Sequence, residues 1–136
     1  MRVFKIAIPS LALMILCANP ILAGDFKITF DWSDLKLCTS GNPNYVNNPR
    51  FTLENVPKGT KFIKFSLTDL DVPSYNHGGG SAEYKNQTVI EPGVFKYNSP
   101  CPPSGSHTYE WVASAEDSDS FFSDTLGKAK ASKVYP

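Results

Sequence analysis

Period-two alternation of apolar and polar residues, broken by Gly and Pro turns, constrains this chain more than any other feature. Phe26, Ile28, Phe30 and Trp32 alternate with Lys27, Thr29 and Asp31. Ile63, Phe65 and Leu67 alternate with Lys64, Ser66 and Thr68, and the run reaches Asp69 before Pro73 stops it. Tyr109, Trp111, Ala113 and Ala115 alternate with Thr108, Glu110, Val112 and Ser114. Successive side chains of a strand point to opposite faces, so each run reads as an antiparallel strand with one buried face. The small alanines imply close packing against a second layer. Phe51-Thr52-Leu53, Thr88-Val89-Ile90 and Val94-Phe95-Lys96-Tyr97 read as shorter strands, with turns at Val56-Pro57-Lys58-Gly59 and Pro92-Gly93. Cys38 to Pro49 reads as a loop. So does Ser74 to Ser81, whose Gly78-Gly79-Gly80 is expected to be too flexible for regular structure. Glu116 to Ser120 is an acidic turn. Ser120 to Lys133 is ambiguous, with room for a short helix around Phe121 to Lys128 and then a strand ending at Tyr135; Gly127 weakens the helix. The expected fold is all-β: a two-sheet antiparallel β-sandwich with at most one short helix near the C-terminus.

Residues 1–23 do not read as part of that fold. Arg2 and Lys5 form a basic start, Ile6 to Cys17 is mostly apolar, and Ala23 is a small residue before Gly24. That is the pattern of a secretory signal peptide, too short to span a bilayer comfortably. An uncleaved anchor is the other reading. Lipidation at Cys17 is excluded by the bulky Leu16 before it. The expected organisation is a signal peptide over 1–23 and one domain over 24–136, exported to a periplasmic or extracellular compartment. A chain of that length buries a real core without a metal. Removing Arg2 and Lys5 from 13 basic residues leaves 11 against 13 acidic ones, a formal charge of −2. No basic field is left for nucleic acid or an anionic membrane surface, and no stable membrane span follows. The mature part keeps Cys38 and Cys101. In an oxidising compartment an even pair reads as one disulfide, stabilising by about 3–5 kcal/mol; two unrelated buried thiols are the alternative.

Two stretches hold ionisable side chains beside prolines at the ends of strand-like runs. They are Asp69-Leu70-Asp71-Val72-Pro73 and Pro100-Cys101-Pro102-Pro103-Ser104-Gly105-Ser106-His107-Thr108-Tyr109. Proline stiffens a loop, and stiff loops on a rigid scaffold make small binding pockets. Asp69 and Asp71 share a face if the strand continues, where they could hold a cation, orient a histidine or cap a turn. His77 and His107 are the two histidines, and His107 is favoured because it opens a strand beside a stiff loop. There is no Gly-x-Ser-x-Gly elbow, no His-Glu-x-x-His and no Cys-x-x-Cys. A metal site of His77, His107, Asp69 and Asp71 is possible by ligand type, but no spacing specifies it. Asn86-Gln87-Thr88 fits a glycosylation acceptor, a signal that matters only in a eukaryotic secretory pathway.

The first stretch resembles the Asp-Pro-Asp-x-Pro motif of the phosphatidylethanolamine-binding protein family. The second resembles that family's Pro-rich loop leading to His-Arg-Tyr. Asn55-Val56-Pro57-Lys58-Gly59-Thr60-Lys61 resembles the turn before the family's first motif strand. The likeness runs from about Phe26 to Pro136 and is strongest to the small exported Raf kinase inhibitor-like bacterial branch. It implies two packed antiparallel sheets with a small anion pocket at one end. Asp69 and Asp71 would line the pocket from the first motif, and His107 and Tyr109 from the second. The backbone N–H of Cys101 would point into it, braced by a bond from Cys101 to Cys38. Thr108 stands where the family has Arg, Leu70 replaces the inner Pro, and His77-Gly78-Gly79-Gly80 takes the place of a Trp-His strand. The implied function is non-enzymatic binding of a phosphate ester or phospholipid headgroup, without a cofactor. The ligand set is Asp69, Asp71, Cys101, His107, Tyr109 and His77. The competing readings are a protein-interaction module that inhibits a protease or kinase, and a metal-assisted hydrolase. Protonation of His107 would favour an anion below neutral pH.

Overall fold

The computed structural model describes residues 24–32 and 34–136; the expected signal peptide lies outside the described residues. The alternating runs become strands. β1 is Lys27–Thr29, β2 Tyr45–Asn47, β3 Phe51–Glu54, β4 Phe62–Asp69, β5 Gly79–Glu83, β6 Val89–Ile90, β7 Lys96–Asn98, β8 His107–Glu116 and β9 Thr125–Tyr135. The described residues contain no helix. One layer is a four-stranded antiparallel sheet in the order β5-β4-β8-β9. The other is built from a three-stranded piece, β1-β3-β6, and a two-stranded piece, β2-β7.

The core lies between these layers. Along β8, Tyr109, Trp111, Ala113 and Ala115 are buried, and along β4 so are Ile63, Phe65, Leu67 and Asp69. Ala113 sits opposite Ala129 of β9, where two small side chains let the second layer come close. Phe51 of β3 bridges the layers, stacked on Phe65 at 4.4 Å between ring centroids and edge-on to Trp111 at 5.2 Å. Such aromatic pairs add about 0.5–1.5 kcal/mol beyond the area they bury.

Two local expectations are corrected and one ambiguity is resolved. The Gly78–Gly80 run is not wholly loop, because Gly79 and Gly80 open β5 and pair with Ser66 and Phe65. The reason is space: a Cβ on Gly79 would fall 1.8 Å from the Phe65 carbonyl oxygen, and one on Gly80 would meet the Phe95 ring at 2.4 Å. Close backbone approach, rather than flexibility, selects glycine there. The Cys38–Pro49 loop contains β2, whose Val46 pairs with Tyr97 of β7. The ambiguous stretch after Ser120 is a turn followed by β9, which ends at Tyr135 as expected, with no helix between. Most side chains of β9 are exposed, and it covers the edge beside β8. Lysines at 128, 130 and 133 blunt that edge, as charged residues on edge strands do.

Candidate functional site

β4 and β8 run antiparallel with Asp69 opposite Tyr109, so the first motif's strand end meets the second motif's strand start. Pairing continues one step further, where the Leu70 N–H donates to the Thr108 carbonyl at 2.8 Å. The two proline-bearing loops therefore leave the sheet at the same end. A cavity of about 100 Å³ lies between them, lined by Asp69, Val72, Tyr75, His77, Cys101, His107 and Tyr109 among others. Depressions of about 770 and 380 Å³ elsewhere are larger, but neither gathers a histidine or cysteine.

Asp69 organises the site. Its Oδ1 accepts the N–H groups of Asp71 (2.9 Å) and Val72 (3.1 Å), which folds the chain into a turn just after β4. Its Oδ2 accepts from Nδ1 of His107 at 2.7 Å. Burial pushes the Asp69 carboxyl up. The His107 bond, the two amides and the histidine's charge outweigh it and hold the carboxyl below its usual value. Both oxygens are thus committed within the protein. The His107 ring is fixed by Nδ1, and its Nε2 is the nitrogen left for an occupant of the cavity.

His77 is buried and held on its other side. Its Nδ1 donates to the Asn98 carbonyl at 2.8 Å, while the Asn98 N–H donates to the His77 carbonyl at 2.9 Å. Desolvation lowers its pKa; the Asn98 carbonyl, the Asp69 charge and the Ser99 carbonyl oppose that only in part. His77 is therefore neutral at neutral pH and offers Nε2 as an acceptor. Tyr109 lies between the histidines, edge-on to His77 at 5.4 Å and stacked near His107 at 6.2 Å. Burial raises the pKa of its hydroxyl, and so do the charge and hydrogen bond of Asp69. The Cys101 N–H, aimed at the same oxygen, pulls the other way.

The wall opposite β8 is braced by the Cys38–Cys101 disulfide, with 63 residues of sequence separation. The Cys38 N–H donates to the Tyr135 hydroxyl at 2.7 Å, tying this loop to the end of β9. Gly41 and Pro43 from one side of the bond, and Pro102 and Pro103 from the other, complete the wall.

Five of the six residues singled out by sequence meet in the cavity. The sixth, Asp71, sits at its margin, where Oδ2 accepts the Thr108 N–H at 2.7 Å. Ligand atoms of Asp69, Asp71 and His107 lie within 4.8 Å of one another. Within that cluster Asp69 Oδ2 is already engaged by Nδ1 of His107. Sequence reading missed Val72 and Tyr75. The Tyr75 ring packs edge-on against His77 at 4.6 Å. Its spacing of two from His77 within one loop was the available signal.

Fold and site together define an all-β sandwich with a small polar cavity where two strand ends meet. Two solved structures share this fold. A phosphatidylethanolamine-binding protein homologue from Chlamydia trachomatis superposes with a TM-score of 0.57 at 16% identity, covering 82% of this chain and 97% of its own. YbcL of Escherichia coli, described as a member of the mammalian family of these proteins, superposes with a TM-score of 0.56 at 16% identity, covering 82% and 98%. The chain has the fold of these proteins. No protein-family model matches it, and no curated protein matches it.

Proposed function

We propose that this chain is an exported, non-enzymatic member of the phosphatidylethanolamine-binding protein family. Its cavity takes a phosphate ester or a phospholipid headgroup. The observation that carries this reading is the Asp69–His107 pair, 2.7 Å apart, beside His77 and Tyr109 in a cavity walled by prolines. The volume of about 100 Å³ is well below the roughly 300–1,000 Å³ of pockets for drug-sized ligands. It suits a headgroup, with the remainder of the ligand outside.

The chemistry is consistent with an anion. Asp69 lines the cavity with both oxygens already engaged by protein donors, so its part is to orient His107. Protonated His107 presents Nε2–H to a phosphate oxygen, a charge-assisted hydrogen bond. Asp71 has an oxygen free of the Thr108 amide and stands at the margin, suited to an ammonium. A zwitterion such as phosphoethanolamine would satisfy both.

The test is an NMR titration with O-phosphoethanolamine and inorganic phosphate at two pH values. Binding should be tighter at the lower pH. His107→Ala should weaken it about ten-fold or more, since one charge-assisted bond is worth roughly 1.5–3 kcal/mol. Absence of shifts at millimolar ligand, or an unaffected His107→Ala, would transfer the function to a protein partner. Export is tested by intact mass: the secreted chain should begin at Gly24, and retention of residues 1–23 in a membrane fraction contradicts it.

A further inference from the structure

The end of the sandwich opposite the cavity carries a second feature. Asp69 and Tyr109 mark the cavity end of the β4–β8 pair, and Phe62 and Glu116 mark the other. There the chain turns from β8 to β9 through Phe121 and Phe122, which are 92% and 89% exposed, with rings edge-to-face at 5.3 Å. Two adjacent phenylalanines so open to water are unusual on a monomer's surface.

The tip that carries them is tightly tied. The Lys64 ammonium donates to the Ser120 carbonyl (2.9 Å) and to the Ser123 hydroxyl (3.2 Å). The Phe122 N–H donates to the Ser120 hydroxyl at 3.1 Å. Buried Glu116 accepts the hydroxyls of Ser123 and Thr125, both at 2.9 Å. The Asp124 N–H donates to the Asp117 carboxylate at 3.0 Å. The rings are held out by built structure.

Beside the tip lies the groove of about 770 Å³, with Val56, Pro57, Tyr84 and Leu126 in its walls and Lys58 and Lys128 exposed at its rim. Leu126 follows Phe122 by four residues, so projection and groove share one end of the molecule. Their charges are opposite. The tip bears Asp117, Asp119 and Asp124 against the one ammonium of Lys64, whereas the groove bears two lysines and the single carboxylate of Asp25.

We propose that this end is an isologous dimer interface: the Phe121–Phe122 tip of each copy enters the Lys58/Lys128 groove of the other. Adjacency of projection and groove is what a two-fold axis needs for reciprocal insertion. Four phenylalanines at about 150–250 Å² each, with the groove walls they cover, reach the roughly 1,200–2,000 Å² of a stable interface. A lipid surface is the poorer occupant, because the three aspartates beside the rings would be drawn towards it. The headgroup cavity, at the other end, stays open in such a dimer.

Sedimentation equilibrium of the purified chain tests this. The wild type should show a concentration-dependent dimer, weakened by salt. Phe121→Ser/Phe122→Ser should weaken it at least ten-fold with an unchanged thermal melt. Lys58→Glu/Lys128→Glu and Asp119→Lys/Asp124→Lys should each be monomeric alone, and mixing the two should restore a dimer. A wild type monomeric to millimolar concentration overturns the proposal. So does a dimer indifferent to the tip variants, a mixture that fails to pair, or a tip that instead binds phosphatidylcholine vesicles.

Discussion

Asp69 and His77 show how burial sets charge at single residues. Asp69 is ionised because every proton donor around it is already in place. His77 is neutral because its ring is buried and its carbonyl partners only partly compensate. Both shifts act on stability in the same direction. A histidine with a lowered folded pKa leaves the unfolded chain binding more protons just below about pH 6.5, so stability is complete above that value and falls with pH below it. Asp69, also lowered, keeps its contribution until pH falls through its own folded value, further into acid. The melting temperature should therefore drop between pH 7 and pH 5, and His77→Gln should flatten that drop. An identical pH slope in the variant would remove His77 from the account. His107, Asp69 and Tyr109 were legible from their loops in sequence. His77 was legible only as a candidate, because a histidine before a glycine run reads as solvated until Asn98 is known to clamp it from both its carbonyl and its N–H.

At the scale of the element, legibility follows the number of buried side chains. β4 and β8 were plain in sequence because four or more of their residues face the core in strict alternation. β5 was hidden because its alternation is written in glycines, which have no side chain to mark a face. β9 was legible at its end but ambiguous at its start, because it buries few residues and its lysines suit an exposed helix as well as an edge strand. β2 has three residues in an Asn- and Pro-rich stretch, and it takes its order from pairing with β7. The glycine reading of β5 predicts an asymmetry. Gly79→Ala places a methyl group against the Phe65 carbonyl, where neither backbone can retreat without loss of the β4–β5 ladder. A destabilisation of about 1–3 kcal/mol is expected, as for overpacking. Gly78 has open space around its Cβ position and a φ of +76°, so Gly78→Ala should cost only about 1 kcal/mol of backbone strain. Urea unfolding of the pair decides this. If Gly79→Ala is the more stable of the two, close approach is not what selects glycine in β5.

For the whole molecule, the disulfide is the link between stability and the cavity. Cys38 and Cys101 belong to loops far apart in sequence, and each loop supplies a wall of the site. The bond constrains the unfolded chain, and for a loop of this length the entropy model gives about 4 kcal/mol. The Cys101 amide also depends on it, because that N–H is aimed at the Tyr109 hydroxyl from a loop otherwise held by prolines. Thiol titration in denaturant without reductant should find neither Cys38 nor Cys101 free. Cys38→Ala/Cys101→Ala should lower the unfolding free energy by about 2–4 kcal/mol in urea. The same variant, still folded at low temperature, should bind O-phosphoethanolamine more weakly than wild type, since the walls it frees are those that shape the cavity. A variant that loses less than about 1 kcal/mol would show that prolines and strand pairing alone fix the two loops. Unchanged binding would show that the His107 side of the cavity suffices without the Cys101 side.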